Sequence, residues 1–282
     1  MADPATPSGT LSRHTELALR VGSALVLAPL AVGTAYFGGW PFKILWALAA
    51  IGVFWEWSAL VARTERRPVV MVGAAALVLA FVLAGNDRMM GAIVVIALAP
   101  LAVAPFAPPQ QRGWVAAGVP YAAAIGVAPV VLRADAEYGF LAMVFLFAIV
   151  WSTDIVAYFA GRLVGGPRLA PRVSPKKTWS GALGGLAAAV LAAIILAKLA
   201  GLAGSFAVVL LAAVLSCVAQ AGDLFESVLK RKFGAKDSSH LIPGHGGLMD
   251  RLDGFVFAAA LAAVIGILRG GLEAPAQALL IW

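Results

Sequence analysis

Residues 181–200 read GALGGLAAAVLAAIILAKLA, a run of twenty residues that carries a single charge, on Lys198. A helix of about 20 apolar residues spans the hydrocarbon core of a bilayer, which is roughly 30 Å thick. Comparable apolar runs recur from Val21 to the C-terminus, and 62% of the 282 residues are hydrophobic while only 12% are charged. A soluble domain is about 45–50% apolar and about 25% charged. The sequence therefore predicts an all-α, polytopic membrane helix bundle.

Turn signals such as Gly38-Gly39 and Pro108-Pro109 separate the apolar runs from one another. Small residues such as Gly181, Gly184 and Gly185 favour close packing between helices in lipid. We expect nine transmembrane helices, at residues 17–37, 42–62, 69–84, 89–106, 114–132, 139–161, 181–200, 204–224 and 253–269.

The chain divides into three predicted regions. Residues 1–16 are polar and rich in Pro, Ser and Thr, which predicts a disordered cytoplasmic tail. Residues 17–132 are expected to form scaffold helices. Residues 133–282 are expected to form a catalytic transmembrane region with two cytoplasmic loops, 162–180 and 225–252, because long polar loops in a tight bundle are usually functional.

The net charge of +7 does not indicate a nucleic-acid partner, because the Lys and Arg residues lie in short loops between apolar runs. With nine helices, sixteen of the 21 basic residues fall on the side of the N-terminus. The positive-inside rule then predicts a cytoplasmic N-terminus and an external C-terminus, in a multi-pass protein of the bacterial cytoplasmic membrane. Cys217 is the only cysteine, so a disulfide-rich scaffold is excluded.

The densest cluster of polar residues is at 222–253, which reads GDLFESVLKRKFGAKDSSHLIPGHGGLMDRLD. Asp223 and Glu226 are three residues apart at the end of one predicted span, and Asp250 and Asp253 are three residues apart at the start of the next. Carboxylates of two helix ends therefore meet at one membrane face. Such carboxylates suit Mg²⁺, and neighbouring Lys and Arg residues would neutralise phosphates. The pattern indicates phosphoryl or nucleotidyl transfer.

A simpler interpretation is that these charges are solvated loop residues that only obey the positive-inside rule. It leaves unexplained why four acidic residues lie at helix ends beside the membrane, where ionised groups are costly and usually functional. For Asp223 and Asp250 we favour contact with a metal or substrate over structural pairing.

The same stretch resembles the signature of the phosphatidate cytidylyltransferases, also called CDP-diacylglycerol synthases. A second block, WSTDIVAYFAGR at 151–162 followed by SPKKT at 174–178, is also similar to that family. The N-terminal half resembles it only as a generic set of spans. The matching elements in the first stretch are Ser227, Lys230-Arg231, Lys236-Asp237, Pro243, His245-Gly246-Gly247, Asp250-Arg251 and Asp253.

The resemblance implies an integral membrane nucleotidyltransferase that converts CTP and phosphatidate to CDP-diacylglycerol and pyrophosphate at the cytoplasmic face. It also implies Mg²⁺, with K⁺ as the candidate second cation, and a homodimer in the lipid bilayer. The implied metal ligands are Asp223 and Asp250, with Asp253 and Asp154 as auxiliary ligands. The implied catalytic residues are Asp223, Asp250, Lys230 and Arg251. The implied substrate-binding residues are Ser174, Lys176, Lys177, Arg231, Lys236, Asp237, His245, Gly246 and Gly247.

Some positions leave alternatives open or depart from the family pattern. His245 either donates to a phosphate or braces its loop. Asp154 either pairs with Arg162 to orient a helix end or belongs to the active site, which the resemblance favours. Ser180 and Arg168 stand where relatives often have Glu and Lys, so Ser180 is given no acidic role. Glu56, between Trp55 and Trp57, is expected to snorkel to the membrane interface.

Three other classes of membrane protein remain as rivals. A CDP-alcohol phosphotransferase would carry an Asp-Gly-x-x-Ala-Arg signature, which the sequence lacks. A transporter would place polar groups and broken helices near the bilayer midplane, whereas the carboxylates here are predicted at one face. A purely structural protein would not need the cluster at 222–253.

Overall fold

The computed structural model describes residues 13–62, 66–86, 88–202, 206–239, 241 and 246–282. The predicted helix at each apolar run is present. The helices are α1 (Arg13–Phe37), α2 (Gly39–Val61), α3 (Arg66–Gly85), α4 (Met89–Val103), α5 (Arg112–Ala134), α6 (Gly139–Leu163), α7 (Trp179–Leu199), α8 (Phe206–Lys232), α9 (Met249–Gly270) and the short α10 (Pro275–Leu280). A 3-10 turn at Ala104–Phe106 extends α4.

Eight of these helices, α2 to α9 with the extended α4, are long and apolar enough to cross a membrane. Within the part of the chain that the structure describes, the apolar segment of α1 is Leu25–Phe37, which is shorter than a membrane span. The protein is therefore a polytopic helical membrane protein, and the count of nine spans stays a prediction. Helix α1 begins at Arg13, inside the segment 1–16 predicted as a tail.

The predicted loop at 162–180 folds into a short β-hairpin, which holds the only strands among the described residues of an otherwise all-α structure. Strands β1 (Arg168–Ala170) and β2 (Ser174–Thr178) pair antiparallel, with Arg168 opposite Thr178. Gly165 and Gly166 have positive φ angles and end α6, and Pro167 follows them. The hairpin packs against α6 and α7, which an isolated two-stranded ribbon needs for stability.

The second predicted loop, 225–252, is shorter than expected. Helix α8 continues to Lys232, and α9 begins at Met249. Three basic residues in the last turn of α8 interact favourably with the negative end of the helix dipole. Gly234, with a φ angle of 71°, then ends the helix. Asp223 therefore lies within α8 and not in its last turn.

Small residues bring the helices that carry the polar clusters into close contact. A Cβ atom added at Gly181 would lie 2.7 Å from the carbonyl oxygen of Ala157, and one at Gly222 would lie 2.6 Å from that of Asp253. Only glycine allows these backbones to approach so closely. The glycines thus fix α7 against α6, as the sequence indicated, and α8 against α9.

The connections between helices gather at two ends of the bundle. At one end the hairpin adjoins the end of α8, and Phe233 packs against Trp114 near the start of α5 with ring centroids 5.7 Å apart. At the other end, Arg133 Nε donates to the carbonyl oxygen of Ala35, and Asp135 accepts from the backbone N–H of Gln277. The predicted cytoplasmic loops therefore share one end.

A labelling experiment tests which end faces the cytoplasm. Arg172, in the hairpin turn, and Glu273, after α9, are exposed and lie at opposite ends. In a Cys217→Ser background, we expect a cysteine at position 172 to react with an impermeant maleimide only from the cytoplasmic side. A cysteine at position 273 should react only from the external side. Reaction of position 172 from outside in sealed cells would reverse the orientation.

Candidate active site

A cavity of about 200 Å³ lies between the β-hairpin and the end of α8. It is the point at which the two predicted loops meet. Six of the residues expected to bind substrate or catalyse the reaction are in its wall, and four of the six are basic. The cavity is lined by Val173, Ser174, Pro175, Lys176, Ser227, Lys230, Arg231, Lys236 and Asp237.

Lys176 and Lys177 are neighbours on β2, but their side chains lie in different surroundings. Successive residues of a strand point to opposite faces. Lys176 lines the cavity, whereas Lys177 Nζ forms an ion pair with Asp223 Oδ2. Both partners of this pair are about one-third exposed or less. The pair joins the hairpin to α8, so the SPKKT segment and Asp223 belong to one site.

Three carboxylates, including that of Asp223 in this ion pair, interact electrostatically and are called the acidic cluster below. Asp253 on α9 interacts electrostatically with Asp223 on α8, and Asp154 on α6 interacts with both. Lys177 offsets part of this negative charge. In the structure, Arg162 donates from Nη1 to Tyr158 Oη at 2.7 Å, and no ion pair joins it to Asp154 among the described residues. The geometry thus favours the active-site alternative for Asp154.

Asp250 has a different environment from the other three predicted ligands. Its Oδ1 accepts from Lys230 Nζ at 2.5 Å, and its Oδ2 accepts from the backbone N–H groups of Ser238 at 3.0 Å and Gly247 at 2.8 Å. Ser238 Oγ is a further donor at 2.8 Å. Asp250 therefore holds the segment before α9 and orients the Lys230 ammonium.

Glu226 lies beside this arrangement and is fully buried. Lys230 Nζ is 3.4 Å from its Oε1, and the carboxyl group of Asp253 on α9 interacts with that of Glu226. Burial of an unpaired carboxylate is costly, and the contacts with Lys230 and Asp253 reduce that cost. Lys230 thus stands between two acidic side chains and the cavity.

Glu56 contradicts the expectation of an interfacial side chain. Its side chain is buried at the start of α9, and its oxygens accept from Leu248 N at 2.8 Å and Met249 N at 2.6 Å. Trp57 is also buried, and its Nε1 donates to the carbonyl oxygen of Trp114. The only sequence signal for this role was an acidic residue inside an apolar run, which is rare and usually functional.

The remaining predicted residues that the structure describes lie outside the cavity wall. Gly247 is buried where a Cβ atom would lie 1.9 Å from Ser238 Oγ and 2.8 Å from both Glu56 oxygens, and Gly246 has a φ angle of 83°. Both glycines therefore shape the loop backbone. Arg251 is exposed on the first turn of α9 and interacts electrostatically with Asp154. His245 lies outside the described residues.

Known proteins resemble this chain over almost its whole length. Residues 18–268 match the cytidylyltransferase family. The chain is similar to a phosphatidate cytidylyltransferase of Brucella suis, with 43% identity over 264 residues, which are 93% of this chain and 97% of the relative. It is also similar to the Brucella abortus protein of the same name, with 44% identity over 255 residues, 89% of this chain and 94% of the relative. The likeness covers the N-terminal helices as well as the site.

Proposed function

We propose a reaction for this chain from one premise: the chain belongs to the cytidylyltransferase family. The reaction joins phosphatidate to the cytidylyl group of CTP. An oxygen of the lipid phosphate forms a bond to the α-phosphorus of CTP, and the bond from that phosphorus to the bridging oxygen of pyrophosphate breaks. The products are CDP-diacylglycerol and pyrophosphate. The names of the Brucella relatives support this substrate pair.

The observation that carries the proposal is the basic wall of the cavity beside an acidic cluster. Lys176, Lys230, Arg231 and Lys236 come from the hairpin, α8 and the segment after it, and they line one space. A nucleoside triphosphate carries its negative charge on a chain of phosphates, which such a wall would neutralise. We assign the cavity to the β- and γ-phosphates, which leave as pyrophosphate.

The reaction depends more on aligning the two substrates and neutralising their charge than on proton transfer. A phosphate monoester has a second pKa of about 6 and is already largely ionised near neutral pH, so its oxygen needs no strong protein base. Two anions must nevertheless approach each other. The ammonium and guanidinium groups of the wall reduce this repulsion and stabilise the charge that develops on the leaving pyrophosphate.

The acidic cluster fits a divalent cation. No three acidic, His or Cys side chains form a ready-made metal site among the described residues. Mg²⁺ does not require one, because it commonly takes one or two carboxylates and completes its octahedron with water and substrate phosphate oxygens. Asp223 and Asp253 would hold the ion, with Asp154 nearby. A bound Mg²⁺ would supply positive charge to the phosphate oxygens in the transition state.

Asp250 contributes in another way, since four donors already contact its oxygens. We assign it the task of orienting Lys230 towards the cavity. This differs from the metal-ligand role implied by its sequence motif. K⁺ as a second cation and the homodimer stay predictions from the resemblance, and the bacterial cytoplasmic membrane stays a prediction from the distribution of basic residues.

The lipid substrate would approach from the bilayer side of the hairpin. Leu163 and Val164, at the end of α6, and Trp179, at the start of α7, are large apolar residues that are exposed where the hairpin begins and ends. Trp residues are typical of the membrane interface. Acyl chains could therefore remain in hydrocarbon while the phosphate reaches the polar site.

A direct assay tests the function. Purified protein in mixed micelles, with phosphatidate, Mg²⁺ and CTP labelled on its α-phosphate, should transfer label to a chloroform-soluble product and release pyrophosphate. Diacylglycerol in place of phosphatidate is the control, because it lacks the attacking phosphate oxygen. Transfer of label that does not depend on phosphatidate, or product formed only from CDP-diacylglycerol and an alcohol, would reject the proposal.

Separate replacement of Lys176 and Lys177 tests whether Lys176 acts on CTP while Lys177 acts on the site of the cation. Lys176→Ala is expected to raise the KM for CTP about tenfold, since a hydrogen bond to a charged group contributes about 1.5–3 kcal/mol. Lys177→Ala is expected to lower the Mg²⁺ concentration that gives half-maximal activity, because its ammonium competes with a cation for Asp223. Initial rates over a matrix of CTP and Mg²⁺ concentrations measure both. Identical effects of the two variants would contradict this difference in roles.

A further inference from the structure

Glu56 connects the N-terminal helices to the candidate active site. It lies on α2, 182 residues before the first of its hydrogen-bond partners. Its Oε1 accepts from Ser239 Oγ at 2.5 Å and from Leu248 N, and its Oε2 accepts from Met249 N. Ser238 Oγ lies 3.2 Å from Oε2. One carboxylate therefore contacts the middle of the segment that joins α8 to α9 and the start of α9 itself.

These contacts replace the cap that the sequence of α9 does not provide. Leu248 occupies the N-cap position and has no side chain that can accept a hydrogen bond. The first N–H groups of a helix have no partner within the helix, and the positive end of the helix dipole attracts an anion. Glu56 satisfies two of these N–H groups from a different helix.

The same contacts extend to the cavity wall. Ser238 Oγ also approaches Asp250 Oδ2 at 2.8 Å, and Asp250 binds Lys230, which lines the cavity. Lys236 and Asp237, directly before Ser238, form another part of the wall. The position of Glu56 therefore bears on both the ammonium of Lys230 and the segment 236–237.

We propose that Glu56 is a positioning residue for the nucleotide half of the reaction. This inference rests on the proposed function. By holding Ser238, Ser239 and the start of α9, Glu56 fixes the wall of the cavity before CTP binds, so that the cost of ordering the wall does not reduce affinity. Glu56 touches no reacting atom itself. Its loss should therefore act on CTP and not on phosphatidate.

The hydrogen bonds that Glu56 accepts from Ser239, Leu248 and Met249 are called the brace below. The variant Glu56→Gln disrupts the brace with little change in shape. Each carboxylate oxygen accepts from one backbone N–H, that of Leu248 or that of Met249. Whichever way the glutamine amide is turned, its NH₂ group faces one of these donors, and a backbone N–H cannot accept a hydrogen bond. The variant thus leaves a buried N–H without a partner.

Kinetics of folded enzyme provide the first measurement. We expect Glu56→Gln to raise the KM for CTP about tenfold and to leave the KM for phosphatidate unchanged, with Glu56→Asp between the variant and the parent. A purely structural defect would reduce the active fraction and lower apparent kcat without changing either KM. Ser58→Ala is the matched control: Ser58 is buried on the same helix, and its hydroxyl has no hydrogen-bond partner among the described residues. It should leave both KM values unchanged.

Amide hydrogen exchange provides a second measurement that needs no substrate. Peptides covering 246–252 should exchange faster in Glu56→Gln than in the parent or in Ser58→Ala. Faster exchange with an unchanged KM for CTP would make Glu56 a structural cap only and overturn the proposal. Unchanged exchange would overturn the brace itself.

If Glu56→Gln does not insert, Ser239→Ala carries the test, because it removes one donor and keeps the carboxylate. A smaller rise in the KM for CTP is then expected, and an unchanged KM overturns the proposal. A parent protein that forms no CDP-diacylglycerol would reject the proposed function, and the kinetic role of Glu56 with it. The exchange result would still report on the brace.

Discussion

Asp223→Asn is expected to lower kcat by about 10²–10³, the loss typical of removing one strong electrostatic contact from such a site. The amide keeps the shape of the carboxylate but not the charge that would hold a divalent cation. It would also break the ion pair with Lys177 that joins the hairpin to α8. Turnover at saturating CTP, phosphatidate and Mg²⁺ is the measurement.

The control for Asp223→Asn is Glu273→Gln, the same loss of charge at an exposed position beyond α9. It should have the activity of the parent protein. Thermal unfolding in detergent, followed by tryptophan fluorescence, establishes that Asp223→Asn is folded. Near-normal turnover of folded Asp223→Asn with saturating Mg²⁺ would rule out the assignment of Asp223 to the cation.

Removal of divalent cations is expected to abolish turnover entirely. The cluster of Asp154, Asp223 and Asp253 offers only oxygen ligands, which suit Mg²⁺ and Mn²⁺. Excess EDTA should stop the transfer of label from CTP, and added Mg²⁺ or Mn²⁺ should restore it. Isothermal titration of Mn²⁺ into the protein without substrates, compared with Asp223→Asn, separates binding at this cluster from binding to CTP. Full activity in excess EDTA would refute the mechanism.

The sequence by itself determined the class of fold and the end of the bundle that holds the site. The length of an apolar run and the position of basic residues are local properties, and the bilayer acts on each run separately. The helices predicted from 42–62 to 253–269 are therefore all present, with ends that differ by a few residues. The largest differences are at the end of α8 and at the start of α9, where the helices extend through charged residues.

Most residues of the cavity wall could also be predicted from the sequence. Ser174, Lys176, Lys230, Arg231, Lys236 and Asp237 lie in two motifs of fixed spacing, and the structure brings both motifs to one space. The motifs did not predict in which direction each of two neighbouring side chains points. The β-hairpin turns Lys176 to the cavity and Lys177 to Asp223, because a strand alternates its faces. The same residues in a loop would have no such alternation.

The role of Glu56 was decided only by the tertiary structure. An acidic residue between two tryptophans has the local pattern of an interfacial side chain, and nothing nearby in the sequence predicts its partners. Those partners are backbone N–H groups and serine hydroxyls of a segment far along the chain. Packing of α2 against α9 buries the carboxylate at a helix start that has no cap of its own. Burial makes hydrogen bonding of that charge obligatory, so the fold and not the local pattern determines what Glu56 does.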